Sequence, residues 1–204
     1  ASDVYKRQLQ GRVKLNGRPV GLGDKMDTDK DVLSVDGRRI AVPKKAEKYY
    51  YMLHKPRGFI TTTSDERGRR TVMDLMEGVP VRVYPVGRLD KDSEGLLLLT
   101  NDGEFANLLT HPSHGVTKLY RVTVHPHATE EQLIALTDGV VLDGGTKTQP
   151  VVIRVVADEP ERTVMEMTLS EGKNRQIRRM CEACGYHVKQ LVRVRIMNLC
   201  LGNL

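Results

Sequence analysis

At 204 residues the chain has room for one medium domain with a small appendage, and it can bury a core without disulfide or metal staples. Its 32 Lys and Arg against 26 Asp and Glu leave +6 at neutral pH, which favours an anionic partner, nucleic acid ahead of an acidic membrane surface. Three cysteines exclude a disulfide framework and fit a reducing cytoplasm, no apolar run approaches the ~20 residues of a membrane span, and 4% aromatics without Trp argue against serial base stacking.

Ala1 to Gln8 shows no periodicity and no join to the residues after it, so residues 1–8 read as a non-native leader; Asp3 to Gln8 resembles the translated read-through of a sequencing adapter. Residues 9–43 then carry two hairpin signals, short apolar–polar strands around Asn16-Gly17 and around Asp36-Gly37. A piece this small buries no core alone. Pro43 to Lys48 is a polar stretch and the expected boundary, which places a second domain at 44–204. The start without Met and the stop at Gly202-Asn203-Leu204, with no closing helix, read as the truncated ends of a fragment.

The second domain opens with an apolar strand, Tyr49 to His54, the turn Lys55-Pro56-Arg57-Gly58 and a second strand, Phe59 to Thr63. Thr71 to Met76 fits one short helix. A polar loop, Gly87 to Gly95, then feeds four leucines, Leu96 to Leu99, that stop at an Asn101-Asp102-Gly103 turn signal. That run is a buried strand rather than a helix. The loop gathers Arg88, Asp90, Lys91, Asp92 and Glu94 at its mouth, where charges become site candidates, although structural ion pairs cluster in the same way.

Glu104 to His111 has helical spacing and ends at Pro112. His111 and His114 find no Cys, Asp or Glu nearby to complete a ligand set, so no metal is expected. Lys118 to His125 alternates, with Tyr120, Val122 and Val124 on one face. Thr129 to Leu136 is a helix with a capping-box pattern, and strands follow at about 151–156 and 163–169, where Met165, Met167 and Leu169 share a core face.

Asn174 to Cys184 reads as a short helix capped by Asn174 and stopped by Gly185. Ile177, Met180, Cys181 and Cys184 form its apolar side, and Arg175, Arg178 and Arg179 lie opposite. The Cys pair on a helix, without a second pair, does not suggest zinc. Then His187 to Ile196 alternates, Lys189, Leu191, Arg193 and Arg195 facing one way. Two consecutive elements with basic faces are the footprint of a phosphate-binding surface.

The run Gly87-Arg88-Leu89-Asp90, followed by Asp92-Ser93-Glu94-Gly95 and Leu96 to Gly103, closely resembles the catalytic motif of the RsuA/RluB/RluE/RluF-type ribosomal RNA pseudouridine synthases. Lys55 to Gly58, Lys118-Leu119-Tyr120 and Glu171 to Met180 resemble further motifs of the same branch. Residues 11–42 resemble the second half of the S-four RNA-binding module that often precedes it. The resemblance implies an α+β fold, the pseudouridine-synthase fold: a mixed, mostly antiparallel sheet flanked by short helices, with a partial S-four-like module in front.

The same resemblance implies site residues. Asp90 is the catalytic aspartate, Arg178 its ion-pair partner, and Tyr120 stacks on the target base while Leu191 lines the pocket. Arg88 fills the gap left by a flipped nucleotide or holds a displaced phosphate, and Arg175, Arg179, Arg193 and Arg195 position the RNA. No cofactor is implied. The partner is ribosomal RNA, with large-subunit RNA favoured, no membrane is involved, and a cytoplasmic monomer is expected. Two other readings remain open to test: a non-catalytic RNA-binding or ribosome-assembly protein, and a glycosidase pairing Asp90 with Asp92 or Glu94, whose carboxyl spacing nothing in the sequence specifies.

Overall fold

The computed structural model describes residues 10–21, 23–41, 47–142 and 144–204. They fall into two compact units, one ending at Glu47 and one spanning Lys48–Leu204. The proposed leader at 1–8, and most of the expected boundary stretch, lie outside the described residues.

The first unit is a small sheet of β1 (Val13–Leu15), β2 (Arg18–Pro19), β3 (Leu33–Val35) and β4 (Arg38–Ile40), in the order β2-β1-β3-β4. Both hairpins turn where the sequence places them. Asn16 and Gly17 sit at φ 50° and 82°, Asp36 and Gly37 at 52° and 76°, the left-handed pairs that match strand twist in a two-residue turn. Val13 is the unit's one buried apolar side chain among the described residues, so its sheet covers no core of its own.

The second unit runs β5 (Tyr50–Lys55), a 3₁₀ turn (Val72–Met76), β6 (Tyr84–Val86), β7 (Glu94–Thr100), α1 (Gly103–Thr110) and β8 (Lys118–His125). It continues with α2 (Glu130–Thr137), β9 (Val152–Glu159), β10 (Arg162–Leu169), α3 (Gln176–Ala183), β11 (His187–Ile196) and β12 (Leu199–Cys200). The sheet order is β5-β7-β11-β8-β10-β9, with β6 on β7 and β12 on β11. Of the strand pairings among the described residues only β7–β11 is parallel, and the class is α+β with a mixed, mostly antiparallel sheet.

Apolar clusters on both faces of the sheet hold the unit together. The largest packs α2 and α3 against one face of β8, β10 and β11, through Val122, Met165, Met167, Ile177, Met180 and Leu191. A second seats α1 beside β6 and β7, and a third places Val72, Leu89 and Leu97 beneath the polar loop. Cys181 is fully buried and burial pushes its thiol up to about 12, so it is a core side chain rather than a reactive one.

Several expectations are corrected. Phe59–Thr63 is no strand; Ile60 makes one isolated bridge to Thr71, and Thr61 is drawn instead into side-chain bonds with the loop. Asn174 does not cap α3, because the cap position is Arg175, held in the left-handed region at φ 47°. The alternation of β11 is broken twice by bulges, at Val188/Gln190 and Arg193/Arg195. A bulge inserts one residue and flips the parity of the strand beyond it. Arg193 therefore pairs with Tyr120, while Arg195 pairs with Leu119 and turns to the opposite face.

Candidate active site

The site is built where the Gly87–Glu94 loop meets the parallel pair β7–β11. The loop is anchored from three sides. Thr61 Oγ1 donates to Leu89 O at 2.6 Å and accepts from Leu89 N at 3.2 Å. Gly58 N donates to Lys91 O at 2.8 Å, and Leu89 is buried. Lys55 Nζ, fully enclosed, donates to Ser93 O at 2.7 Å and Pro56 O at 3.1 Å. Burial pushes its amine down to about 8, against the pull of Asp90, Asp92 and Glu94.

Behind the loop, Gly95 makes the close approach possible. It lies at φ 105° directly across from Arg193, and a side chain there would stand 2.7 Å from the Arg193 amide nitrogen and closer still to its carbonyl oxygen. Arg193 is itself buried. Its Nε donates to Leu96 O at 2.7 Å and its Nη1 to Arg88 O at 3.4 Å, so it props the loop from beneath. The expectation that Arg193 belongs to an exposed basic face is thus corrected, as is that for Arg195, displaced by the second bulge.

Asp90 and Asp92 divide the nearby arginines unequally. Arg175 grips Asp92 with both terminal nitrogens at 3.1 Å, and its Nη1 stands 3.8 Å from Asp90 Oδ2. Arg178, almost fully buried, donates from Nη2 to Asp92 O at 2.9 Å and from Nη1 to Val188 O at 3.2 Å. Its Nε lies 3.3 Å from Asp92 Oδ2, an ion-pair contact without hydrogen-bond geometry. The direct ion pair of Arg178 is therefore with Asp92, not with Asp90 as the motif implied. Burial pushes the Asp92 carboxyl up, but the hydrogen bonds from Arg175 and the charges of Arg178 and Arg175 more than offset it, and the net shift is downward. Burial also lowers the Arg178 guanidinium, with Asp92 opposing.

This leaves Asp90 half-buried, in the wall of a cavity of about 330 Å³. Tyr120 and Leu191 line the same cavity, together with Arg88, Arg175 and Ser93. Adjacent strands explain the meeting: Tyr120 and Leu191 point from β8 and β11 to the face that carries α3, and the loop closes over it. Arg179, on the next turn of α3, is partly buried and is not among the cavity's lining residues.

Three residues take parts at the site that the sequence did not assign to them. Asp92 is the anchor of both arginines, and Lys55 is a buried support of the loop. Ser93 Oγ is buried against the cavity with no hydrogen-bond partner among the described residues. A lysine ending an apolar strand gives no signal of burial, since lysine side chains are almost always exposed. Asp92 carried a weak one, being two residues from Asp90 on a glycine-bracketed loop.

A family model described as RNA pseudouridylate synthase matches residues 49–183. The chain belongs to the RNA pseudouridylate synthases. It is 43% identical over 187 residues to a protein of Bacillus subtilis (strain 168) named ribosomal large subunit pseudouridine synthase B, covering 90% of this chain and 75% of that one. A dual-specificity RNA pseudouridine synthase RluF of Escherichia coli (strain K12) is 41% identical over 196 residues, 96% of this chain and 64% of that one. A crystal structure of a pseudouridylate synthase superimposes with a TM-score of 0.70 at 30% identity, over 97% of this chain and 83% of the other. The fold is thus the pseudouridine-synthase fold, and the enzyme class is an isomerase.

Proposed function

We propose that this synthase isomerises a uridine of large-subunit ribosomal RNA, as a cytoplasmic monomer acting on a nucleotide flipped out of its helix. A base inside a duplex is unreachable, and extrusion into a pocket is the general solution. The observation that carries the reading is the joint presence of Asp90, Tyr120 and Leu191 in one cavity with Arg88 and Arg175. The name of the Bacillus subtilis relative supports the large subunit as the source of the RNA.

The reaction breaks the ribose C1′–N1 bond and forms C1′–C5 within the same nucleotide. The C5 hydrogen leaves as a proton and N1 gains one, so atoms and electrons balance without an added oxidant or reductant. Asp90 meets the nucleotide as nucleophile or base. Tyr120 and Leu191 hold the detached uracil from two sides while it turns, which keeps a loose base from escaping. Arg175 supplies positive charge beside Asp90, and Arg178 acts through Asp92, fixing the loop that presents Asp90. Arg88 and Arg179 contact the displaced strand. Arg193 has a supporting part, and Arg195, on the far face, has none at the cavity. In this reading the first unit is a partial S-four-like RNA-binding module.

The test is tritium release from ribosomal RNA carrying [5-³H]uridine. Wild type should release label, and Asp90→Asn should lose about a thousandfold or more, ~4 kcal/mol of barrier, while RNA affinity stays within about threefold. Release by Asp90→Asn at the wild-type rate would remove the carboxylate from the reaction. Absence of release by wild type from any ribosomal RNA would favour a non-catalytic RNA-binding protein.

A further inference from the structure

A larger groove, of about 800 Å³, adjoins the cavity and shares Arg88, Tyr120, Glu171, Gly172 and Lys173 with it. Its charge is one-sided. Arg88, Lys118, Lys173 and Arg193 line it, and Glu171 is the one carboxylate among its lining residues. Glu171 is already committed: Lys173 Nζ lies 3.0 Å away, Gln149 N donates to it at 3.0 Å, and Gln176 donates to it as well. Lys118 has no carboxylate within ion-pair distance among the described residues. Its half-buried amine spends one N–H on Val116 O at 3.1 Å, and its pKa is lowered first by burial and then by the like charge of Arg193.

Arg193, nine-tenths buried and more, carries an Nη2 with no hydrogen-bond partner among the described residues. Two partly or fully desolvated cations lining one groove without an ion-pair partner among the described residues are costly, and such an arrangement persists where an anion completes it. The strand order places them: Lys118 and Tyr120 point to one face of β8, and Arg193 stands across from Tyr120 on β11. A polynucleotide carries a phosphate on each side of every base, so the groove beside the cavity is where the next phosphate arrives.

We propose that Lys118, backed by Arg193 and flanked by Arg88, forms an anion subsite for one phosphodiester of the RNA strand adjoining the reacting nucleotide. The assignment rests on the reading of the cavity as the nucleotide site. Lys118 makes the contact, and the buried Arg193 contributes potential from within the groove wall.

The experiment measures retention of large-subunit ribosomal RNA by the full chain between about 50 and 200 mM salt, for wild type, Lys118→Gln and Lys118→Arg. Loss of one phosphate contact should weaken binding about tenfold at low salt and flatten the log–log salt slope by about 0.7–0.9. Lys118→Arg should restore both, which a purely structural role in β8 would not. If Lys118→Gln fails to fold by circular dichroism, Lys118→Met keeps the apolar stem and is held to the same expectation. Wild-type affinity and slope in a folded neutral variant overturn the proposal. Inorganic phosphate alone, titrated at constant ionic strength, tests a free-ion site. Saturable binding below about 1 mM with no change of RNA slope in Lys118→Gln overturns the RNA assignment. Tritium release is scored separately on the same wild-type preparation. A wild type that releases none yet shows the slope change upholds the subsite and defeats the isomerase reading alone.

Discussion

Asp90 and Asp92 stand two residues apart, and the structure gives them opposite expected phenotypes. Asp92→Asn removes the charge that both arginines hold. The Arg175 pair is solvent-accessible, with side chains 42% and 36% exposed, and contributes at most about 1 kcal/mol. Arg178 is the larger loss, because its side chain is 8% exposed and Asp92 is its ion-pair partner. Removing the carboxylate from a fully buried ion pair costs about 3–5 kcal/mol. Because this contact is not a hydrogen bond and Asp92 is a third exposed, the loss here is discounted to about 1.5–2 kcal/mol. The sum is about 1.5–3 kcal/mol, or roughly 3–12 °C in the melting temperature of a unit this size. Asp90→Asn loses one 3.8 Å contact and should melt within about 1 °C of wild type. Differential scanning calorimetry of the three proteins decides the matter. The sign with pH follows from the depressed Asp92 carboxyl: its stabilisation is present above the ordinary value of 3.8 and fades as pH falls through the lower folded value. The gap between wild type and Asp92→Asn should therefore close below about pH 4. Equal melting temperatures for both variants, or a larger drop for Asp90→Asn, would refute the division of labour.

Lys55 offers a second pH signature. A lysine whose folded pKa is about 8 rather than 10.5 binds fewer protons folded than unfolded in between, so stability should rise from pH 8 to 10.5. Urea midpoints should show that rise in wild type and lose it in Lys55→Met; a flat wild-type profile contradicts it. Gly95→Ala should cost about 3 kcal/mol or more, from positive φ and the collision with the Arg193 backbone, and a melting temperature near wild type would show that β7 and β11 can part freely. Tyr120→Ala should lower kcat/KM about ten- to a hundredfold through lost base stacking, with Tyr120→Phe close to wild type. An Ala variant as active as wild type removes the aromatic from the base pocket.

Much of the fold was legible because local signals agreed. The Asn16-Gly17 and Asp36-Gly37 turns, the Leu96–Leu99 run and the Thr129 capping box all formed as their chemistry dictates. The errors share a cause. A bulge adds a residue for reasons of sheet twist, which residue type along β11 does not encode, so the strict alternation that grouped Arg193 with Arg195 failed at Val194. Phe59–Thr63 had strand composition, yet Thr61 was spent on the loop instead. At the site, motif resemblance named the members of the cavity, but which carboxylate takes which arginine is settled by distances of a few ångströms that no spacing in the chain expresses.

The most direct test of the account maps pseudouridines in large-subunit ribosomal RNA, transcribed without modification and incubated with this chain, by carbodiimide labelling and primer extension. One new pseudouridine with wild type, and none with Asp90→Asn, is the predicted result. No gained position, or the same position gained with Asp90→Asn, would contradict it.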